Sequence, residues 1–565
     1  LTLNPVDSML FAGGKLLTCF YSFMTALFAA LIMVPFLRQW ALDKDTVDIP
    51  DERKVHESPM PRLGGIAIFL AFLFSAIIYL PINQGVRGIL AGSLIVFATG
   101  VVDDLNGLFS RGKFAGQAAA CLVTIMVGDL YLSHLGNLFG FGDIVLSAWV
   151  GIPFTVFAVV GVINAINLID GLDGLAGGVS TIALMAFFLL GWLEDDPVTM
   201  ILAAAMVGAI FGFLKYNFYP ARIFMGDTGS LVVGYVIGFI AVYLTQRSTS
   251  TTSPMVPVLI LGLPLLDTVW VMMRRIMTGV SPFAADRTHV HHKFLSLGFE
   301  HRFAVLLIYG ISLFWACFAL LLHQLPEYLL LLIYLAITVS GYLFLRYVMQ
   351  NSEKFPFLNK DAPTTVRDTA IYRRMSVLSD KLLLGASLSL AAYMVIAVLS
   401  TLSVDILPWQ VALILLAAGT YLWFSSSTDN RQFLMLVVYA TFGLAATQVW
   451  SADYEMVGGL TFKRSGDLLL GAAGLLAVVK IQFRKPGEFF LTTADYLALG
   501  VCIFMAIASQ QAVLGYNING PLFRTVVGIV ALRTIVTRNQ TTQSMVIGCS
   551  TVFLILMVVV GLVLQ

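Results

Sequence analysis

Apolar stretches of roughly 18 residues or more follow one another along the whole chain, each long enough to cross a hydrocarbon core as a helix. In the first part they fall near 16–37, 64–82, 88–102, 114–132, 144–163, 174–193, 198–214, 229–246, 254–273, 303–322 and 327–345. The short alternating segments of a closed β-barrel are missing from the pattern. It therefore predicts an all-α, polytopic integral membrane protein with about 11 transmembrane helices in this part. Seven further runs, near 383–402, 407–424, 432–449, 467–481, 494–513, 522–536 and 544–564, predict about 7 more. Between the two sets, 346–381 reads as a charged linker carrying Arg346, Lys354, Lys360, Arg367, Arg373, Arg374 and Lys381. The expected organisation is 1–345, then a cytoplasmic linker 346–381, then a transmembrane extension 382–565 with no catalytic constellation. The first run is too long for a cleaved leader and ends at Arg38 with no small-residue cleavage site, so it reads as a span.

Composition sharpens this picture in one respect. Charged residues make up 12% of the chain, about half the share of a soluble domain, and 59% are hydrophobic. The net charge of +1 and the lack of a basic block give no reason to expect nucleic acid. Cys19, Cys121, Cys317, Cys502 and Cys549 all lie inside apolar runs without paired spacing, so they read as small buried side chains rather than disulfides or metal ligands.

The connecting loops divide by charge. The set 38–63, 103–113, 164–173, 215–228 and 274–302 holds 14 Lys and Arg residues, whereas the alternate set holds Lys15, Arg87 and Arg247. That bias places the first set in the cytoplasm. The unusual polar sequences fall on the same side: DERKVHESPMPRLGG (51–65), GVVDDLNG (100–107), NAINLIDGLDG (164–174), KYNFYPARIFMGDTGS (215–230) and SPFAADRTHVHHKF (281–294). Five polar segments gathered at one face predict a composite site at the membrane surface.

The residue types suggest what the site does. Asp103 and Asp104 end the third span, Asp170 and Asp173 flank the next cytoplasmic junction, and Asp227 precedes the eighth span. Grouped carboxylates supply hard oxygen ligands suited to Mg²⁺, although an acidic pair at a helix end also serves as an ordinary solvated cap. The every-third spacing of Asn164, Asn167, Asp170 and Asp173 puts neighbouring pairs on one helix face, and Gly171 and Gly174 allow a tight turn or a close approach. Asp227, Thr228 and Ser230 read either as caps of the following helix or as part of a helix N-terminus whose amides receive phosphate. His289, His291 and His292 lack the companions of a zinc site and, with Arg287 and Lys293, read either as a diphosphate-binding or proton-handling cluster or as a solvated loop. Together these parts point to metal-assisted phosphoryl transfer with a lipid as one reactant.

The ordered motifs PMPRLGG, GVVDDLNG, NAINLIDGLDGLAGG, KYNFYPARIFMGDTGSL and DRTHVHHKF resemble those of the polyprenyl-phosphate N-acetylhexosamine-1-phosphate transferases, over roughly residues 15 to 345. The resemblance implies transfer of a sugar 1-phosphate, most simply GlcNAc 1-phosphate, from a UDP-N-acetylhexosamine to undecaprenyl phosphate, with Mg²⁺ and release of UMP. Mn²⁺ is the alternative ion. It also implies the first membrane step of a cell-surface glycan pathway at the cytoplasmic face of a bacterial inner membrane, with the bilayer and a homodimer mate as partners. By the same resemblance, Asp227 is the principal metal ligand with Asp104 beside it, and one of Asp103 and Asp104 is the base that handles the lipid phosphate. Direct attack by that phosphate is favoured over a covalent intermediate. Asp170, Gly171, Leu172 and Asp173 line the uridine and metal region near Asn164 and Asn167. Asn217 and Phe224 contact the nucleobase, His289, His291 and His292 lie near the diphosphate, and Arg287 and Arg62 join the substrate contacts. Two departures stand out: DDLNG lacks a third acid, and HHKFLSLGF replaces the HHHFE form, which tilts the donor toward UDP-GlcNAc. The rival reading is an ion-coupled transporter, whose only encouragement is Asp267 inside GLPLLDTVW. A CDP-alcohol phosphatidyltransferase is disfavoured because DGLDGLAGG lacks that family's Arg and later acids.

Overall fold

The computed structural model describes residues 15–44, 47–48, 60–247, 249–279, 289–297, 299, 301–323, 325–351, 370–400, 409–424, 437–446, 449, 455–457, 460–482, 524–525, 527–532 and 540–563. The chain forms two compact units, Leu1–Lys360 and Asp361–Gln565.

The first unit is a bundle of helices: α1 (Lys15–Asp43), α2 (Gly64–Tyr79), α3 (Gln84–Asn106), α4 (Ser110–Gly128), α5 (Ala148–Ile169), α6 (Leu175–Leu193), α7 (Pro197–Asn217), α8 (Gly226–Thr245), α9 (Met255–Ile260), α10 (Gly262–Met277), α11 (Val290–Ser296), α12 (His301–Leu321) and α13 (Glu327–Gln350). Every apolar run expected in this unit contains a helix, and eight helices are long and apolar enough to cross a membrane among the described residues. The ninth run is the exception in form: it breaks at Leu261 into α9 and α10. The inward stripe of α10 runs through Pro264, Asp267, Thr268, Val271 and Arg275 at helical spacing, while Val269, Trp270, Met273 and Ile276 face outward. Asp267 is thus an inward residue on an amphipathic helix, not an acid stranded in an apolar span. Among the described residues, β structure amounts to two short ladders, Val47–Asp48 with Met60–Pro61 and Glu455–Val457 with Leu460–Thr461, and one isolated bridge between His134 and Val145.

Local chemistry sets the helix ends. Asn83 accepts the Val86 amide at 2.9 Å and starts α3, and Gly107, at φ 69°, ends it. Asp196 caps α7 ahead of Pro197. Between helices in a bilayer the hydrophobic effect gives little drive, so small residues and buried hydrogen bonds do the joining. A Cβ on Gly65 would lie 2.0 Å from the Gly229 nitrogen, and one on Gly100 2.4 Å from the Thr228 Cα. These two close approaches bring α2 and α3 against the start of α8. Deeper in the bundle, Tyr235 of α8 donates to the Ile89 carbonyl of α3 at 3.0 Å and pairs with Thr124 of α4. The centre is α6, α7 and α8, which are enclosed almost throughout; α13 turns nearly all of its surface outward.

In the second unit, helix Ala370–Ser400 packs against Phe462–Gln482 and Gln540–Val563, and Trp409–Phe424 packs against Gln540–Val563. Tyr393 stacks on Phe442 at 5.1 Å, and Arg524 pairs with Asp467. Of the seven runs expected there, 494–513 lies outside the described residues; the others contain helical residues. Helix α13 runs on to Gln350 and the next described helix starts at Ala370, so both ends of the charged segment 346–381 are helical, and 352–369 lie outside the described residues.

Candidate active site

The site is built where α3, α5 and α7 end and α8 begins. Helix α3 stops at Asn106, which leaves Asp103 and Asp104 on its last turn. Asp103 accepts the Leu108 amide at 2.7 Å and pairs with Lys113 from the first turn of α4. The same Lys113 ammonium reaches Asp227 at 3.0 Å, so one cation ties two carboxylates from different helices. Asn167, near the end of α5, donates to the other Asp227 oxygen at 2.6 Å and to Ser230 at 2.7 Å. Asp227 is therefore held on two sides by groups that favour its anionic form.

Asp104 has a different task. Its Oδ1 accepts the Asp227 amide at 2.8 Å, and its Oδ2 accepts the Thr228 amide at 2.9 Å and the Thr228 hydroxyl at 2.5 Å. A carboxylate from α3 thus caps the N-terminus of α8, where charge and helix dipole agree. This corrects the expectation that the first amides of this helix stand ready for phosphate: those of Asp227 and Thr228 are already bonded. Neither Thr228 nor Ser230 is the cap, because the Thr228 hydroxyl donates to Asp104 and the Ser230 hydroxyl to the Gly226 carbonyl at 3.2 Å. Gly226 lets the turn form, with φ 71° and the Arg62 carbonyl 2.2 Å from where a Cβ would stand.

A second knot forms around the loop 170–174. Helix α5 ends at Ile169, so the every-third register is helical for Asn164 and Asn167 and becomes a turn at Asp170 and Asp173. The Gly174 amide donates to Asn217 at 3.0 Å, the Ala221 amide to Asp173 at 2.9 Å, and Tyr309 to the Gly174 carbonyl at 2.6 Å. Asn217 closes the circuit by donating to the Ile223 carbonyl at 2.9 Å. His301 receives the Asp173 amide on Nε2 at 3.1 Å. Asp170 lies between the two knots. Burial, then the charges of Asp227, Asp173 and Asp104, push its carboxyl up to about 7.

The histidines sit over this loop. A Cβ on Gly171 would fall 2.3 Å from His291 Nε2, so the glycine makes room for the ring. His291 is buried, and burial followed by its neighbours His292 and His289 drives it down to about 3. The uncharged imidazole is therefore the favoured form of this ring at neutral pH. His292 packs on His291 at 4.2 Å, and His289 lies parallel to His291 at 5.9 Å with its Nδ1 2.8 Å from Asp267.

The remaining expected residues are more scattered. Asn164 points deeper into the bundle, to Gln117 at 2.8 Å. Leu172 is buried. Phe224 is fixed by its backbone, which donates to the Pro61 carbonyl at 2.8 Å and accepts from Gly64 at 3.1 Å. Arg287 lies outside the described residues. Lys113, His301 and Tyr309 belong to the site without having been picked out from the sequence. For Lys113 the signal was present, a cation in RGKF just after the acidic pair; nothing local marked Tyr309.

These residues suit a hard divalent cation. Carboxylate oxygens dominate the donor set, no described residue donates a hydrogen bond to the Asp170 carboxylate, and Lys113 pairs with two of the four carboxylates, Asp103 and Asp227. No closed shell of three ligands forms among the described residues. Mg²⁺ is commonly held by one or two carboxylates, with water and phosphate completing its shell.

Residues 86–245 match the family model described as glycosyl transferase family 4. A Bacillus subtilis (strain 168) protein named probable undecaprenyl-phosphate N-acetylglucosaminyl 1-phosphate transferase is 33% identical over 319 residues, 55% of this chain and 87% of that protein. The Escherichia coli (strain K12) undecaprenyl-phosphate alpha-N-acetylglucosaminyl 1-phosphate transferase is 33% identical over 326 residues, 56% of this chain and 88% of that one. A Mycobacterium leprae (strain TN) decaprenyl-phosphate N-acetylglucosaminephosphotransferase is 34% identical over 293 residues, 47% of this chain and 74% of its own.

Proposed function

Because the chain belongs to the polyprenyl-phosphate N-acetylhexosamine-1-phosphate transferase family, we propose that it moves GlcNAc 1-phosphate from UDP-GlcNAc to undecaprenyl phosphate and releases UMP. A phosphate oxygen of the lipid attacks the phosphorus that carries the sugar. The bond from that phosphorus to the UMP oxygen breaks, and UMP leaves with the electron pair. The product is a lipid diphosphate-linked sugar. Nothing covalent is asked of the protein, so its work is positioning and charge.

The observation that carries this reading is the meeting of Asp227, Asp103, Lys113 and Asn167 from four separate helices at the end of the bundle. Asp227, with Asp170 across from it, would hold Mg²⁺. When bound, that ion neutralises the diphosphate oxygens and the departing UMP. Lys113 fixes the two carboxylates and supplies the local cation. Asp103 is the better placed of the acidic pair to orient the lipid phosphate, since Asp104 is committed to the cap of α8. The loop 170–174, fastened by Asn217, His301 and Tyr309, forms a preset wall for the nucleotide. The charge bias of the loops supports a cytoplasmic position for this end of the bundle, at a bacterial inner membrane.

The test is UMP release by purified protein supplied with undecaprenyl phosphate, Mg²⁺ and a panel of UDP-N-acetylhexosamines, with and without EDTA. UMP that depends on lipid and metal supports the reading and names the donor. Folded protein that turns over none of them overturns it.

A further inference from the structure

Asp267 is the acid that the sequence set apart and that the proposed reaction leaves unused. It lies on the inward stripe of α10, 9% exposed, and both its oxygens are engaged. Oδ2 meets His289 Nδ1 at 2.8 Å, and Oδ1 accepts the Val290 amide at 2.9 Å. One carboxylate therefore anchors the start of α11 and the ring that precedes it. A carboxylate that accepts from Val290 and faces Nδ1 acts as acceptor toward both. His289 must then carry a proton on Nδ1, which makes Nε2 the nitrogen available to a ligand. The arrangement continues sideways. His289 is parallel to His291 within 2°, and His291 rests on Gly171 between Asp170 and Asp173. Fixing His289 thus fixes the edge of the histidine cluster that borders the nucleotide loop.

We propose that Asp267 is a positioning residue for the transfer, which sets the tautomer and angle of His289 so that Nε2 faces the donor's diphosphate. It acts through His289 and does not itself touch substrate. This rests on the transferase reading above. Outer groups that orient a histidine in this way are worth about 10- to 100-fold in affinity or activity elsewhere.

Asp267→Asn is the informative change, because it keeps size and leaves a carbonyl for the Val290 amide. Its NH₂ then faces Nδ1, which has to become an acceptor, and the proton moves to Nε2. In full-length protein in bilayers, the expected result is a fall in kcat of about 10- to 100-fold. KM for UDP-GlcNAc and the thermal midpoint should stay close to wild type. The second readout is the nitrogen-15 spectrum of histidine-labelled protein, with the His289 signal identified as the one lost in His289→Gln. Wild type should show Nδ1–H at His289, and Asp267→Asn should show Nε2–H. An unchanged kcat in Asp267→Asn, or an Nε2–H tautomer in wild type, overturns the proposal. So does an equal loss of kcat and thermal midpoint, which would mark Asp267 as a structural anchor alone. The tautomer measurement needs no turnover, so a chain that releases no UMP sinks the reaction while the spectra still decide the arrangement.

Discussion

Asp170 couples the chemistry of the site to pH. With its carboxyl raised to about 7, the folded protein keeps a proton that the unfolded chain gives up near an ordinary carboxylate value. This group therefore costs stability progressively as pH rises between those two values, and a divalent cation that needs the anion offsets the cost. Mg²⁺ binding should expel about one proton, so the half-saturating Mg²⁺ concentration should rise by up to about tenfold per unit as pH falls from about 8 to about 6. Thermal shifts against Mg²⁺ at several pH values measure it, and a pH-independent midpoint would remove Asp170 from the ion's surroundings. Asp227→Ala should lower UMP release by on the order of 10³-fold or more while the protein still melts cooperatively. Asp104→Ala should behave differently. It removes the cap of α8 and should cost about 1–2 kcal/mol in a denaturation experiment, whatever its effect on turnover. Most of these residues were legible as types in the sequence. Their division of labour was not, because DD at 103–104 reads the same whether an oxygen meets an amide or a metal.

At the scale of elements, the spans could be read because a bilayer admits few solutions for a long apolar segment. The break at Leu261 could not: VPVLILGLPLL around Leu261 reads as one apolar run, and the structure alone shows α9 ending at Ile260 and α10 starting at Gly262. The joints between elements depend on glycines that look alike on paper. Gly65 sits 2.0 Å from a backbone nitrogen once a Cβ is added, whereas nothing lies within 4 Å of Gly161. Gly65→Ala should push α2 off the start of α8, costing about 1–3 kcal/mol or more and most of the activity. Gly161→Ala should leave both thermal midpoint and UMP release near wild type. Equal effects of the two would mean that the α2–α8 contact does not position the site.

At the scale of the whole molecule, the matched relatives align with little more than half of this chain and with most of their own length. The unit Leu1–Lys360 holds every residue assigned to the reaction. A chain ending at Lys360 should therefore keep measurable UMP release, and complete loss in folded protein would give Asp361–Gln565 a part in the chemistry. The side of the membrane is testable too. A cysteine introduced by Arg222→Cys should react with an impermeant maleimide in inverted vesicles and resist it in intact cells.

By itself the sequence determined that the chain is a helical membrane protein, where most of its spans run, and that the carboxylates and histidines of its five polar motifs belong to one face. Segment length, apolarity and loop charge are local quantities, and the bilayer converts them directly into topology. Tertiary structure alone decided the partners: Lys113 between Asp103 and Asp227, Asp104 on the amides of α8, Asp267 on His289. Helical periodicity assigns a residue to a face but not to the helix it will meet. That choice is made by close packing at small residues, between segments far apart in the chain.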